Sequence, residues 1–328
     1  MSKSLVGKIL LSCNAFAPFR FLNRDKLLVL VYHRFSVDNA IGRTSAAVFR
    51  RHLDYLLRHY KIISLTEAVN RLVRGEELSA SEAVITIDDG YHDFYDIAFP
   101  IIREYKIPAT VYAVTGFVEG RCWIWTDIAR HILLSTSKND LEIEINGKRI
   151  AESFSEEASR LAAAGAVNHM LKKLPDEEKD RELERFAEMM RVKVPERPPV
   201  GFSSFTWDQA REMAEHGIEI GSHTVTHPIL TNVESGRLET ELGRSKATVQ
   251  AEIGIDSVHF CYPNGNVSAQ VRDAVETAGY ASAVSTEIDL CSGSSDPYLV
   301  PRIDAEPEMY RFVQATSGFD RLKSSLRS

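Results

Sequence analysis

Short apolar runs alternate with helical patterns along most of the chain, and this alternation constrains the fold more than any other feature. Residues 27–32, 83–87 and 109–114 are nearly continuous apolar runs, which are typical of strands buried on both faces. The spacing of apolar residues over 49–60 predicts a helix between the first two runs. Strands that alternate with helices favour a parallel sheet with crossover helices, and 328 residues are enough for a single α/β barrel.

The alternation is interrupted at about residues 118–200, where the sequence is charged and mostly helical. An Asn146-Gly147 pair within this segment predicts a small hairpin. Beyond it, Thr206 with Gln209 forms a capping-box pattern that starts a helix. Further strands are predicted at 218–221, 259–262, 281–284 and 299–303. We interpret residues 26–320 as one barrel domain and residues 118–200 as a mainly helical insertion in it.

The chain has no run of 18 apolar residues, so no membrane-spanning helix is predicted, and the N-terminal segment, residues 1–25, is no exception. Lys8 shortens its apolar core below the length of an export signal. Residues 5–22, flanked by Lys8, Arg20 and Arg24, fit a short amphipathic helix that would suit peripheral contact with a membrane surface, or a helix packed on the domain. We therefore expect a cytoplasmic location, with membrane association as an open alternative, in preference to export.

Charge and cysteine content exclude some classes of partner and cofactor. The formal net charge is −7, which argues against a nucleic-acid partner because phosphate binding needs clustered cations. The four cysteines match no paired metal-binding or redox spacing and fit a reducing compartment. They are Cys13, Cys122, Cys261 and Cys291.

Three polar groups follow predicted strands, at the end of an α/β barrel where active sites lie. Asp88-Asp89-Gly90 offers one carboxylate for a metal and one for a base, although the same residues also suit a turn. His223 and His227, four residues apart, are a plausible pair of metal ligands. The third group, 261–265, contains a Pro-Asn-Gly turn that either reverses the chain or directs a backbone N–H at an oxyanion.

These groups, in this order, resemble the polysaccharide deacetylase family, the NodB-homology group of carbohydrate esterases (family 4 type). The resemblance rests on 86–90, 223–227 and 262–265 and covers roughly residues 27–116 and 200–305. It implies a distorted, incomplete (β/α)7 barrel related to the TIM barrel. It further implies that Asp88 is the catalytic base, that Asp89, His223 and His227 bind the metal, and that a backbone N–H near Asn264 belongs to the oxyanion hole.

The sequence departs from the family pattern at two places that bear on catalysis. Cys261 stands where the family has an arginine that steadies the base, and Arg302 is our candidate substitute. The usual C-terminal histidine is missing, since no histidine follows His259. One branch of the family instead takes its general acid from an N-terminal Tyr-His motif, so the resemblance makes His33, after Tyr32, the candidate acid.

The sequence therefore predicts an enzyme, a hydrolase that removes the acetyl group of an N-acetylated sugar, glycan precursor or glycolipid with Zn²⁺, Co²⁺ or Ni²⁺. Tyr91, Tyr262 and Trp207 are candidate substrate contacts, and for Tyr91 and Trp207 packing in the core or at an interface is the competing role. Two alternatives stay open: a deacylase of a non-sugar amide, and a sugar-binding barrel without catalysis.

Overall fold

The computed structural model describes residues 3–76 and 81–320. Its strands are β1 (Leu27–Tyr32), β2 (Phe35–Ser36), β3 (Thr44–Ser45), β4 (Lys61–Ile62), β5 (Glu82–Ile87), β6 (Ala109–Ala113), β7 (Asp140–Ile145), β8 (Lys148–Ser153), β9 (Ile218–Ser222), β10 (His259–Cys261), β11 (Ser282–Val284) and β12 (Ile303–Asp304). Its α-helices are α1 (Lys3–Ser12), α2 (Ala17–Leu22), α3 (Ala46–His59), α4 (Leu65–Val73), α5 (Phe99–Tyr105), α6 (Thr115–Val118), α7 (Trp125–Ser135), α8 (Glu157–Leu171), α9 (Asp176–Met189), α10 (Trp207–Glu215), α11 (Ser235–Ile253), α12 (Ala269–Thr277) and α13 (Met309–Thr316).

A parallel sheet in the order β11-β10-β9-β6-β5-β1-β12 forms the centre of the molecule, and β4 pairs with the start of β5. The sheet curls until its two edges are joined by one short segment. Val300 in that segment bridges to Val284 of β11, and Ile303 pairs with Leu30 of β1. This closure confirms the predicted distorted barrel.

The predicted strand at 299–303 is wrong in its extent. The segment makes an isolated bridge at Val300, and regular pairing begins only at Ile303. Pro301 lies between the two, and a proline has no backbone N–H to continue a ladder. The seam of the barrel is therefore two short contacts in place of one continuous strand.

Alternation along the strands separates an outer layer from the barrel interior, because successive side chains of a strand point to opposite sides. Leu28 and Leu30 of β1 belong to the large outer core with α3. Val29, by contrast, packs with Val84 and Tyr112 in a smaller inner cluster that α4 covers at one end. The same alternation directs polar side chains into the barrel at the carboxyl ends of the strands.

The insertion at about residues 118–200 folds around an apolar cluster of its own. Helices α7, α8 and α9 and the hairpin β7–β8 supply this cluster, and Ile229 of the barrel joins it. The predicted hairpin is confirmed, as is the cap of α10, where the Thr206 hydroxyl accepts a bond from the Gln209 amide at 3.3 Å. Ile229 comes two residues after His227 in the chain, so the insertion lies beside the segment that carries the two histidines.

The N-terminal segment forms two helices, so the single helix predicted over 5–22 is wrong. Asn14 adopts a left-handed conformation (φ 51°) between α1 and α2, and Pro18 starts α2. Phe21 and Leu22 are exposed, and the Arg24 guanidinium lies 4.2 Å from the Phe21 ring centroid. Among the described helices, none has both the length and the apolar character to cross a membrane. Contact of this segment with a membrane surface stays a prediction.

Gly221 gives a direct test of the narrow barrel interior. A Cβ at this position would lie 2.5 Å from the Tyr112 ring and 2.9 Å from the His259 carbonyl oxygen. We expect Gly221→Ala to lower the free energy of unfolding by about 1–3 kcal/mol, as overpacking does. The matched control is Gly243→Ala, on the exposed side of α11 with no atom within 4 Å, which should raise it by up to about 1 kcal/mol. Urea denaturation of both variants measures the difference, and equal stability would contradict the packing described here.

Candidate active site

The carboxyl ends of the parallel strands bring the predicted site residues together. His33 follows β1, Asp88 and Asp89 follow β5, and His223 follows β9. The backbone fixes their positions: the Asp88 amide donates to the Tyr32 carbonyl at 2.9 Å, and the His223 amide donates to the Ala113 carbonyl at 2.9 Å. These side chains therefore share one end of the barrel.

Arg302 forms a two-pronged ion pair with Asp88 inside the barrel. Its Nη1 and Nη2 each lie 2.7 Å from one carboxylate oxygen of Asp88, and the arginine is 1% exposed. The guanidinium also donates to the Ser285 carbonyl at 2.9 Å and to the Thr86 hydroxyl at 3.0 Å. The structure thus places Arg302 against the predicted base, and a fixed fork of this kind holds a carboxylate in one orientation.

The ion pair controls the charge of Asp88. Burial raises the pKa of this carboxyl, but the Arg302 guanidinium outweighs burial and holds the pKa below its usual range. Cys261 contributes no charge of that kind, since its Sγ donates to Asp88 at 3.4 Å and burial raises the pKa of the thiol. Asp88 is consequently an ionised carboxylate at neutral pH, next to His33, whose Nε2 is 3.8 Å away and whose side chain is 50% exposed.

Asp89, His223 and His227 form a compact triangle of donor atoms. The two Nε2 atoms are 3.2 Å apart, and they lie 3.5 and 3.4 Å from Oδ1 of Asp89. Ligands at about 2.0–2.1 Å from a tetrahedral ion are separated by roughly 3.3–3.4 Å. The three atoms thus have the spacing that a zinc-like ion requires, and two histidines with a carboxylate are a suitable donor set for it.

Hydrogen bonds and burial prepare the imidazoles as ligands. The Nδ1 of His223 lies 2.7 Å from the Cys261 carbonyl, which can only accept, so Nε2 presents its lone pair to the triangle when the ring is neutral. Burial lowers the pKa of His227 to about 3, which keeps that ring neutral. Burial lowers the pKa of His223, but contacts with Cys261 and Asp89 raise this pKa by more than burial lowers it. The pKa of His223 is therefore above its usual value. A cation held by these residues would compete with a proton on His223, and its binding would weaken as the pH falls.

The loop that carries the two histidines has an unusual backbone. Thr224 and His227 adopt φ values of 69° and 60°, which non-glycine residues rarely do. The buried carboxylate of Glu241 on α11 accepts bonds from the Val225 amide at 2.7 Å and from the Thr226 amide at 3.0 Å. Glu241 therefore stabilises the conformation that turns both imidazoles toward Asp89. Its sequence context, a charge within a helix, gave no sign of this role.

Asn264 lies in the predicted turn with φ 55°, and Gly265 closes that turn by donating to the Tyr262 carbonyl at 2.9 Å. A Cβ at Gly265 would overlap with Thr286, so the turn requires glycine. Among the described residues, the buried Nδ2 of Asn264 has no hydrogen-bond partner. The oxyanion role of the nearby backbone stays a prediction.

The structure does not support Tyr91, Tyr262 and Trp207 as substrate contacts. Tyr91 and Tyr262 are each 1% exposed, and their hydroxyls donate to Asp127 at 2.6 Å and to the Tyr298 carbonyl at 2.9 Å. Tyr262 belongs to the outer core because it follows Cys261, which faces inward. Trp207 begins α10 and packs partly buried on the same outer core. Alternation along β10 was the signal that could have excluded Tyr262.

Arg34, which sequence reasoning left without a role, joins the barrel to the insertion beside His33. Its Nε donates to Asp93 at 2.7 Å, and its guanidinium carbon lies 3.8 Å from the Tyr91 ring centroid. It also donates to the Gly201 carbonyl at 2.8 Å, at the end of the insertion. The pKa of Arg34 is raised because Asp93 and neighbouring acidic groups outweigh its burial. Arg34 thereby fixes the segment that carries His33.

Comparisons with known proteins agree with this architecture. A family model for polysaccharide deacetylase matches residues 75–283, more than half of the chain. YxkH of Bacillus subtilis, whose assignment as a polysaccharide deacetylase is provisional, is 23% identical over 285 residues, which cover 87% of this chain and 73% of that protein.

Two solved structures resemble the fold closely. The deacetylase PplD of Streptococcus pyogenes, solved with acetate, has a TM-score of 0.60 and 19% identity, and the match covers 89% of this chain and 98% of that one. IcaB from Ammonifex degensii has a TM-score of 0.58 and 19% identity, over 90% and 97% of the two chains. At these identities the likeness concerns the fold alone.

The support that Glu241 gives to the histidine loop is testable through metal affinity. We expect Glu241→Gln to weaken Zn²⁺ binding by about 10–100-fold, as the loss of a group that supports metal ligands does. Glu239→Gln is the control, because Glu239 is exposed on the same helix. Competition with a chelating dye measures both affinities. Unchanged affinity in a folded Glu241→Gln protein would show that the loop keeps its shape without this carboxylate.

Proposed function

The chain belongs to the polysaccharide deacetylase family, and from this premise we propose that it is a metal-dependent hydrolase that removes the acetyl group from an N-acetylated amino sugar. The observation that carries the proposal is the triangle of Asp89, His223 and His227 next to the ionised Asp88. A metal site and a separate charged base at the same end of the barrel are the two parts that amide hydrolysis by an activated water needs.

Asp89, His223 and His227 would hold the divalent ion, for which Zn²⁺, Co²⁺ and Ni²⁺ all suit this donor set. When bound, such an ion polarises the amide oxygen and lowers the pKa of a coordinated water. The protein's own contribution begins with Asp88, which takes a proton from the attacking water as general base. Arg302 keeps this carboxylate ionised and fixes its orientation through two 2.7 Å bonds.

His33 is the proposed general acid. Its side chain is half-exposed and its Nε2 lies 3.8 Å from the Asp88 carboxylate, so the two groups flank the same space. Protonated His33 donates its proton to the nitrogen of the leaving amine as the C–N bond breaks. The products are acetate and a free amino group on the sugar. A backbone N–H beside Asn264 is placed in the same proposal as the donor to the tetrahedral oxyanion.

One cavity at the site and a second beside the histidine loop favour an extended substrate. One, of about 560 Å³, is lined by His33 and Arg34 on the β1 side. The other, of about 670 Å³, is lined by Thr226 and by the insertion. A glycan that occupies both would present one N-acetylated unit between His33 and His227. We therefore propose a polysaccharide, a glycan precursor or the glycan of a glycolipid as substrate, in preference to a small non-sugar amide.

A sugar-binding barrel without catalysis is the alternative from another class. It is motivated by two departures, the cysteine at position 261, where the family has an arginine, and the missing C-terminal histidine. The contacts of Arg302 weaken the first of these, because a guanidinium reaches the same carboxylate from position 302. A barrel that had lost catalysis would have no need to keep Asp88 buried and charged at this cost in desolvation.

Acetate release from acetylated oligosaccharides tests the proposal. We expect the protein loaded with Zn²⁺ to release acetate, and Asp88→Asn to lower the rate by at least about 10²–10⁴-fold while the bound metal is retained. Asp96→Asn is the control, since Asp96 is largely exposed and pairs with His92 on the surface. Elemental analysis and circular dichroism establish metal content and folding for each protein. Full acetate release by Asp88→Asn would remove Asp88 as the base, and no release from any acetylated sugar would favour the sugar-binding alternative.

A further inference from the structure

The cavity between the insertion and the barrel lies one residue from the proposed metal site. It measures about 670 Å³, and Thr226, the neighbour of His227, lines it. The Thr226 hydroxyl donates to Glu241 at 2.6 Å and accepts from Arg237 at 3.5 Å, so the wall of the cavity is part of the histidine loop. A unit bound here would be adjacent to the unit whose acetyl group is removed.

Helix α9 gives the cavity a negative charge. Asp180, Glu184 and Glu188 line it at intervals of four residues, which places them on one face of the helix. Together with Asp176, Lys179 and Arg237, they give the lining four carboxylates against two cations.

Both cations are already paired. Lys179 binds Asp176 and lies 3.5 Å from Asp180, and Arg237 lies 2.6 Å from Asp176. Within residues 3–76 and 81–320, neither Glu184 nor Glu188 forms an ion pair. The cavity therefore has two carboxylates that a cationic ligand can neutralise.

Trp125 supplies a second and independent requirement. This residue lines the cavity, is 3% exposed, and its indole N–H finds no acceptor in the described part of the chain. The indole of Trp123, in contrast, donates to the Pro195 carbonyl at 2.9 Å. An indole nitrogen can only donate, and a buried donor without a partner costs free energy that a bound hydroxyl or carbonyl oxygen would recover.

The two requirements together describe a ligand that carries both a cation and a hydroxyl group. We propose that this cavity is a subsite for an amino sugar that has already lost its acetyl group and is positively charged, next to the unit being hydrolysed. The inference rests on the proposed function, since that reaction leaves one such cation on each unit it processes. A neutral N-acetylated unit would satisfy Trp125 but would leave Glu184 and Glu188 without a counter-charge. The preferred substrate is then a partly deacetylated chain.

Binding of a glucosamine tetramer tests the subsite without any turnover, because this probe has no acetyl group to lose. Glu184 and Glu188 are exposed side chains. Isothermal titration calorimetry should give an affinity about tenfold lower for Glu184→Gln/Glu188→Gln than for the unmodified protein, as the loss of two solvent-exposed ion pairs implies. Glu177→Gln/Glu178→Gln is the matched control, with the same charge change on the same helix but outside the cavity lining. Its affinity should equal that of the unmodified protein. Tetramers with β-1,4 and with β-1,6 linkages are both titrated.

Equal affinities in all three proteins, or no binding of either tetramer, would overturn the subsite. The fully N-acetylated tetramers, titrated against Asp88→Asn, should bind equally well to proteins with and without the Glu184→Gln/Glu188→Gln change. An equal loss for charged and neutral tetramers would show that the change damages the cavity and that charge is not recognised, which also overturns the proposal. Failure of the proposed function is a separate result, seen as absence of acetate release, and it leaves the charge-dependent binding measurable.

Discussion

The pair between Arg302 and Asp88 is the interaction on which the rest of the site depends. Two charges are removed from water inside the barrel, at a desolvation cost of several kcal/mol for each ion. The structure offsets this cost with two short bonds between the partners and further bonds from Arg302 to Ser285 and Thr86. Removal of either partner would leave a buried charge uncompensated, which typically costs about 3–5 kcal/mol.

This ion pair also joins Asp88, the proposed base, to the least regular part of the fold. Arg302 lies in the segment that closes the barrel, between the bridge at Val300 and the first regular pairing at Ile303. Its guanidinium reaches Asp88 only if that segment lies between β1 and β11. The short seam of the sheet is therefore stabilised from inside by a charged side chain as well as by backbone hydrogen bonds.

Much of the fold followed from the sequence because apolar periodicity is a local signal. Strands β1, β5, β6, β9, β10 and β11, the helix after β1, the hairpin of the insertion and the Thr206 cap were predicted within a few residues. The site residues after the strands could be named because a parallel sheet gathers its carboxyl ends at one edge. The contact of Arg302 with Asp88 was anticipated through the departure at Cys261, although its catalytic role stays a prediction.

The parts that sequence did not predict depend on distant contacts. Glu241 reads as one more charge on a helix, and its bonds to the histidine loop exist only after α11 packs there. Arg34 joins Asp93 and Gly201, which are far apart in the chain. Tyr262 was predicted as a substrate contact because it precedes a candidate functional turn. The alternation of side chains along β10 instead directs Tyr262 into the outer core. Pro301 likewise divides a strand that composition alone would extend.

We propose that Asp88 acts as the base because Arg302 keeps it ionised, and the pH dependence of kcat/KM for acetate release depends on this contact. Lysine at position 302 cannot reproduce the two-pronged contact, so in Arg302→Lys the pKa of Asp88 should rise. Since the base must be ionised, the acidic limb of the profile should move to higher pH by about one unit or more, while the exposed control Arg311→Lys leaves it in place. An acidic limb at the same pH in Arg302→Lys, with the rate lowered equally at every pH, would show that Arg302 does not set the ionisation of the base.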